Sequence, residues 1–338
     1  MIKFIWNDWS TAPEASKMYG WGPDDVNTWK KPGGYKYDDA KAPYLETLAK
    51  EASVKGSRVY SKKAAPVSKA VLAKNKELTT DSKNPLVLLV DGTGSMQKWP
   101  AEIFDRIPLL YQTLSQYKDD VELSINVVGD ANSDQWPLQV TEFAKGVTLD
   151  DKLKAVHAEG GGGPGIRESY ELFAYFADQK IKTPNAVSPF LIVMGDEKFY
   201  EKINPAQIKV YIGDTVQAEL SSVDVWKNLA QKYDIYFLQK QYPGRHEEIK
   251  QQWADAIGEQ KIIPVYDAQR IVDIAMGLVA KKWGHFSDFG KNLSARQDEL
   301  GIATVMESLR AAPDVDYKDM KSVVGKSLKG AKSMKLIE

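Results

Sequence analysis

The sequence predicts a Rossmann-like α/β fold with a doubly wound, mostly parallel sheet and one antiparallel edge strand. Between residues 86 and 283, short continuous apolar runs alternate with stretches of helical spacing. Uninterrupted apolar strands are typical of a parallel sheet, because helices bury both of its faces. A short amphipathic run at 135–141 follows one of these strands closely enough to pair with it as a hairpin, which gives the antiparallel edge.

The predicted elements follow one another in a regular order. The parallel strands are the apolar runs 86–90, 121–128, 190–194, 235–238 and 261–265. In the stretches between them, apolar residues recur with the spacing of one helix face. The predicted helices are 99–117, 166–180, 222–232, 245–257 and 268–282, with one more helix at 292–310.

The chain on both sides of the predicted domain, 86–283, has a different texture. Residues 1–85 are interpreted as an aromatic-rich arm and connector, with four tryptophans in the first 29 residues and a short helix at 41–54. Left exposed, these aromatics would form an unusually large apolar patch, so we expect the arm to dock on the domain. Residues 284–338 are predicted to form a helix and then a lysine-rich, mobile tail.

The composition excludes several classes of site. The 338 residues include no cysteine, which removes disulfides, thiolate metal sites and cysteine nucleophiles. The formal net charge of -1 gives no overall field that would attract nucleic acid or an anionic membrane. The three histidines, His157, His246 and His285, have no spacing typical of a catalytic triad or a zinc site.

The sequence also carries a prediction about location. Its first residues, MIKFIWNDWS, have neither the basic region nor the long apolar region of a secretory signal. No apolar run reaches the ~18 residues that a membrane span needs. We therefore expect a cytoplasmic protein, or one associated with a virion if a phage encodes it.

The segment LVLLVDGTGSMQ at 86–97 has the most specific pattern. Asp91 ends the first predicted core strand, and Thr93 and Ser95 follow in the loop before the first helix. In an open parallel sheet, ligands bind beyond the carboxyl ends of the strands. One carboxylate with two hydroxyl oxygens is a hard oxygen site, which suits Mg²⁺ or Mn²⁺ better than zinc or copper. Such a site is incomplete and needs further oxygens.

Two later segments supply candidates for them. Asp196 closes the strand PFLIVMGD as Asp91 closes its own, and the glycine loop EGGGGPGIRESYELF at 159–173 opens a helix. These three elements, in this order, resemble a von Willebrand factor type A domain with its metal-ion-dependent adhesion site. The resemblance covers roughly residues 86 to 283 and extends to the strand order and the antiparallel edge.

The resemblance implies a set of metal ligands. Asp91, Thr93 and Ser95 take the places of the family's Asp-x-Ser-x-Ser, and Asp196 takes that of the second acid, which acts through water. The family places a ligand threonine directly after the glycines, whereas this chain reads GPGI there. Glu168, at the start of the following helix, is the predicted replacement. We therefore expect a metal site of modest affinity.

The resemblance also implies a function. In the family, an Asp or Glu of a partner protein completes the coordination of the metal. We therefore expect a non-catalytic, divalent-metal-dependent binding module of adhesion or scaffold type. Intracellular members of the family are often partners of ATPases or of large assemblies. A structural component of a phage particle, with the tryptophan-rich arm as its tether, is the alternative.

Two other interpretations of the same residues are open. A strand-end acid followed by hydroxyls is common in turns, where the acid or Ser95 caps the next helix, and Asp130 is interpreted as such a turn residue. LLVDGT and VMGDE are also similar to Mg²⁺-dependent phosphatases of the haloacid dehalogenase type. That chemistry needs a second acid two residues after the nucleophile, and position 93 is threonine.

Overall fold

The structure is a computed structural model that describes residues 69–146, 148–163, 165–242, 244 and 246–313. The greater part of the predicted N-terminal arm, its helix at 41–54 and nearly all of the predicted C-terminal tail lie outside the described residues. Within the described ranges, none of the helices combines the length and apolar character that crossing a bilayer requires.

The strands in chain order are β1 (Leu78–Thr79), β2 (Asn84–Asp91), β3 (Val121–Val128), β4 (Leu138–Gln139), β5 (Arg167–Glu168), β6 (Ile181–Lys182), β7 (Phe190–Gly195), β8 (Lys198–Phe199), β9 (Lys202–Ile203), β10 (Leu220–Ser221), β11 (Asp234–Lys240) and β12 (Ile262–Val265). The helices are α1 (Trp99–Leu114), α2 (Thr148–Ala155), α3 (Tyr170–Lys180), α4 (Pro205–Gln207), α5 (Ser222–Lys232), α6 (His246–Ile257), α7 (Ile271–Lys282), α8 (Phe286–Arg296) and α9 (Glu299–Leu309). Short 3₁₀ or π turns lie at Lys69–Val71, Gly94–Met96, Ile208–Ile212, Glu259–Lys261 and Ala268–Arg270.

The central sheet has six strands in the order β12-β11-β7-β2-β3-β4. All neighbours are parallel except β3 and β4, which pair antiparallel with Val128 opposite Leu138. The predicted fold class, including its antiparallel edge, is therefore confirmed. The edge strand is shorter than the predicted run at 135–141, because only two of its residues pair with β3.

Strand β2 shows why the sheet is covered on both faces. All eight of its residues are buried, and successive side chains point to opposite faces. Leu86, Leu88 and Val90 join one core cluster with α1, α7, α8 and α9. Val87 and Leu89 join a second cluster with α3, α5 and α6. The continuous apolar run thus contributes to two cores at once, one on each face of the sheet.

The strand order places a topological switch point between β2 and β7. The chain leaves β2 toward β3 on one side, and later returns to β7 on the other. In such sheets, the crevice beyond the carboxyl ends of the two central strands is the usual ligand site. Asp91 ends β2, and Asp196 directly follows β7.

The C-terminal part of the described chain differs from its prediction. The single helix expected at 292–310 is wrong, because α8 and α9 are separate helices. Gln297 between them has an extended backbone, and the Asp298 side chain accepts a hydrogen bond from Gly301 N at 2.7 Å. Asp298 therefore caps a new helix. Helix α2 lies in the segment 129–165, where no helix was predicted.

The core takes in residues beyond the range 86–283. Val71 is buried in the cluster that contains α1, and Leu78 is buried in the cluster that contains α3. From the other end, Val305 and Met306 of α9 pack in the first cluster. The residues at 69–85 and 284–312 are thus part of the same packed body as the sheet.

A buried ion pair links α7 to α8. Asp273 is 1% exposed and accepts hydrogen bonds from Arg296 Nη1 at 3.3 Å and from Gln297 Nε2 at 3.0 Å. Burial raises the pKa of Asp273, although the Arg296 guanidinium opposes this shift. Within the described residues, Arg296 Nε and Nη2 have no hydrogen-bond partner, so the guanidinium depends on this carboxylate.

We predict that Asp273→Ala lowers the free energy of unfolding by about 3–5 kcal/mol, because it leaves the Arg296 charge buried and uncompensated. Urea denaturation of the full chain measures this loss. The matched control is Asp288→Ala, which removes an exposed acid of α8 that pairs with Lys291 and should cost at most about 1 kcal/mol. Equal losses in the two variants would contradict the prediction.

Candidate metal centre

The switch point brings four of the predicted site residues together. Asp91 Oδ1 accepts a hydrogen bond from Thr93 Oγ1 at 2.6 Å. The hydroxyl oxygens of Thr93 and Ser95 are 3.0 Å apart, and Ser95 Oγ donates to Asp196 Oδ1 at 3.0 Å. Asp91, Thr93 and Asp196 are buried, whereas Ser95 is partly exposed. The four side chains form one continuous row of oxygen atoms, which we call the oxygen row.

The local turn explains part of this arrangement. Asp91 Oδ1 also accepts from Thr93 N at 2.8 Å, which is the hydrogen bond of an aspartate turn. Ser95, however, does not cap α1: the residue before that helix is Lys98, and no side-chain cap forms there. The Ser95 hydroxyl instead contacts an acid 101 residues away. The aspartate turn therefore accounts for Asp91 but leaves the position of Ser95 unexplained.

The glycine loop lies directly against the oxygen row. Gly162 has a φ of +105°, and a Cβ there would lie 3.0 Å from Glu168 Oε1 and 3.3 Å from Thr93 Cβ. A Cβ at Gly161 would lie 1.9 Å from Asp134 Oδ1, which accepts a hydrogen bond from Gly162 N. The positive φ favours glycine at Gly162, and the Asp134 carboxylate occupies the space that a Cβ would fill at Gly161.

Glu168 is the acid that the loop covers. It is 5% exposed, and among the described residues its Oε2 has no hydrogen-bond partner. Burial raises the pKa of Glu168 well above the usual range, and the charge of Asp91 raises it further. A buried acid with an unsatisfied oxygen is costly, so Glu168 needs either a proton or a cation nearby.

The charged form of Asp91 is disfavoured for similar reasons. Burial raises its pKa, the neighbouring carboxylate of Asp196 adds to the effect, and the hydrogen bonds from Thr93 and Tyr170 oppose it. The charge of Asp91 thus acts on Glu168, and that of Asp196 acts on Asp91. A bound cation would relieve the repulsion between these carboxylates.

The sequence analysis missed Tyr170, the first residue of α3. Its hydroxyl donates to Asp91 Oδ2 at 2.5 Å, and its side chain is fully buried. A Cβ at Gly195 would lie 2.0 Å from the Tyr170 hydroxyl, so the glycine that ends β7 makes room for this contact. Both oxygens of Asp91 therefore accept hydrogen bonds within the protein.

Lys240 and Tyr242, at and just after the end of β11, were also missed. Lys240 Nζ lies 2.5 Å from the backbone oxygen of Ser95 and 3.3 Å from Asp196 Oδ2. The Tyr242 hydroxyl is 2.6 Å from the same Asp196 oxygen. Lys240 ends its strand as Asp91 ends β2, so a search of strand ends for cations as well as acids would have found it.

Asp130 makes the turn contact expected of it. Its Oδ1 accepts a hydrogen bond from Asn132 N at 3.0 Å and lies 3.1 Å from the Tyr200 hydroxyl. Within the described part of the chain, His, Cys, Asp and Glu side chains form no group of three that could hold a metal by themselves. A metal at the oxygen row would therefore depend on the hydroxyls of Thr93 and Ser95 as well as on acids.

Comparison with known proteins yields similarity of structure only. No protein-family model matches the sequence, and no curated protein matches it. The fold is similar to that of the pilus adhesin SpaC from Lactobacillus rhamnosus GG in its open conformation, with 11% identity and a TM-score of 0.44 over 64% of this chain and 31% of that one. It is also similar to proximal thread matrix protein 1 from the mussel byssus, with 10% identity and a TM-score of 0.43 over 61% and 49%. This chain thus matches less than half of either protein, and neither similarity bears on what it binds.

Another buried acid, Glu171 of α3, gives a test of the electrostatics. It is fully buried, its Oε2 accepts from Tyr200 N at 3.1 Å, and burial raises its pKa to about 8. Between its unfolded pKa of about 4.3 and the folded value, the native state holds a proton that the unfolded chain releases. The free energy of unfolding of the protein therefore falls as the pH rises through that window.

We predict that Glu171→Gln removes this loss. Relative to wild type, the variant should gain stability on going from about pH 5 to about pH 8, by up to about 1.4 kcal/mol for each pH unit. Urea denaturation of both proteins at several pH values measures the difference. A difference that stays constant across this range would show that Glu171 is ionised in the folded protein.

Proposed function

We propose that this protein is a non-catalytic binding module in which Asp91, Thr93 and Ser95 hold a Mg²⁺ or Mn²⁺ ion. The metal would bind an Asp or Glu side chain of a partner protein. The observation that carries the proposal is the oxygen row at the topological switch point, where ligands bind in folds of this class.

The spacing of the oxygen row suits such an ion. With bonds of about 2.1 Å and octahedral geometry, neighbouring ligand oxygens of Mg²⁺ lie about 3.0 Å apart. The Thr93 and Ser95 hydroxyl oxygens are 3.0 Å apart, which matches this spacing. Carboxylate and hydroxyl oxygens are hard ligands, which favours Mg²⁺ or Mn²⁺ over softer metals.

The unsatisfied oxygen of Glu168 supports the same proposal. Its Oε1 lies beside Gly162, and so does Thr93 of the oxygen row. A divalent ion would supply a partner for the Oε2 atom, which has none among the described residues. We propose that Glu168 fills the place of the family's loop threonine, and that Asp196 acts through a water molecule.

These residues and the confirmed fold class support assignment of the chain to the von Willebrand factor type A family, with a variant adhesion site. The partly exposed Ser95 leaves one side of the oxygen row open, and a partner's carboxylate could approach there. Because the metal and the partner would each favour the binding of the other, each should tighten the other by the same factor.

Binding fits the site better than phosphatase chemistry. In such an enzyme, Asp91 would be the nucleophile and a second acid two residues later would protonate the leaving group. Thr93 stands where such an enzyme needs a general acid, and a neutral hydroxyl cannot supply that proton efficiently at neutral pH.

We predict that Asp91→Asn weakens Mn²⁺ binding at least tenfold, a change of about 1.4 kcal/mol, because it removes the carboxylate charge and preserves the shape of the side chain. Isothermal titration calorimetry gives the affinity, and circular dichroism tests whether the fold is intact. The control is Asp178→Asn, which removes an acid that pairs with Lys232 away from the crevice. Unchanged Mn²⁺ affinity in Asp91→Asn would show that the motif is only a turn and does not hold the metal.

We also predict a partner contact that depends on the metal. A protein captured by the wild-type chain in Mg²⁺ should be released by EDTA and should not be captured by Asp91→Asn. Hydrolysis of p-nitrophenyl phosphate by wild type, lost in the same variant, would instead establish the phosphatase.

A further inference from the structure

The ammonium group of Lys240 lies inside the crevice that the oxygen row borders. Its side chain is 8% exposed, and Asp196, with which it pairs, is fully buried. Lys240 Nζ donates to the backbone oxygen of Ser95 and contacts Asp196 Oδ2, while Ser95 Oγ contacts Asp196 Oδ1. The lysine therefore uses the same two residues as the oxygen row, through different atoms.

Aromatic groups hold the ammonium in this place. Nζ lies 4.5 Å from the centre of the Tyr242 ring and 5.5 Å from that of Trp99, within the range of cation–π attraction. It also donates to the Tyr242 hydroxyl at 3.0 Å. Lys240 thus has a defined position beside Asp196, unlike a surface lysine that reaches an acid by chance.

We propose that Lys240 is an internal counter-cation, which balances Asp196 when no metal is bound and is displaced when a divalent ion binds. It would therefore set the metal concentration at which the site fills. This inference rests on the proposed metal site. Two positive charges beside one buried carboxylate repel each other strongly, because a buried site screens charges far less than water does.

The chain offers a matched control at the other end of β11. Lys261 Nζ contacts Asp234 Oδ1 at 2.5 Å and the Tyr236 hydroxyl at 3.3 Å, and it lies 4.3 Å from the centre of the Tyr236 ring. Lys261 thus resembles Lys240 in pairing with an acid beside a tyrosine, although its side chain is 20% exposed and that of Lys240 is 8% exposed. Asp234 is the first residue of β11 and Lys240 is the last. The control pair therefore lies at the amino end of this strand, opposite to the end at which the oxygen row lies.

The first test is calorimetric titration of Mn²⁺ into wild type, Lys240→Met and Lys261→Met. We expect Lys240→Met to bind Mn²⁺ at least tenfold more tightly than wild type, and Lys261→Met to match wild type. Equal or weaker binding by a folded Lys240→Met, with binding by wild type, overturns the role of Lys240 and leaves the metal site standing. Absence of binding in all three proteins overturns both.

The second test needs no variant, so it tests the displacement of Lys240 even if Lys240→Met does not fold. Wild type is acetylated with acetic anhydride, in EDTA and in saturating Mn²⁺, and mass spectrometry of peptides measures the rate at each lysine. Lys240 should react several-fold faster in Mn²⁺, because displacement exposes its amine, while Lys261 should keep its rate. An equal Lys240 rate in both conditions, in protein shown to bind Mn²⁺, overturns the displacement.

Discussion

The constraint on which this structure depends is the burial of carboxylates at the point where the sheet reverses its winding direction. Strand β2 is covered on both faces and ends in Asp91, which has no exposed surface. A buried carboxylate is tolerated only where hydrogen bonds or opposite charges satisfy it. The turn at Thr93 and the deep position of Tyr170 both meet this need, because each supplies a donor to Asp91.

The glycines follow from the same constraint. Gly195 leaves space for the Tyr170 hydroxyl, and Gly162 leaves space for Glu168 and Thr93. A Cβ at Gly195 would collide with that hydroxyl, whereas a Cβ at Gly162 would crowd the Glu168 carboxyl and would be strained by the positive φ. The loop sequence is therefore shaped by the acids that it covers, more than by a need for flexibility.

The protein balances buried acids in two contrasting ways. Between α7 and α8, Asp273 pairs with the guanidinium of Arg296, which is permanently charged and buried. At the switch point, Asp91 and Glu168 have no such partner among the described residues, and Asp196 has the ammonium of Lys240. The Asp273–Arg296 pair joins two helices, whereas the arrangement at the switch point leaves space for the exchangeable cation that we propose. This difference separates a structural ion pair from a candidate binding site.

The sequence by itself determined the fold class, the main strands and four residues of the oxygen row. Apolar periodicity reports which residues are buried, and a polar residue at the end of a buried strand must lie at the rim of the sheet. Glu168 was also predicted, but only through the resemblance to a family. The tertiary structure alone decided that Lys240 lies beside Ser95, 145 residues away, because that contact requires β11 to lie next to β7. Periodicity carries no information about which strands are neighbours, because strands pair with one another only when the chain folds.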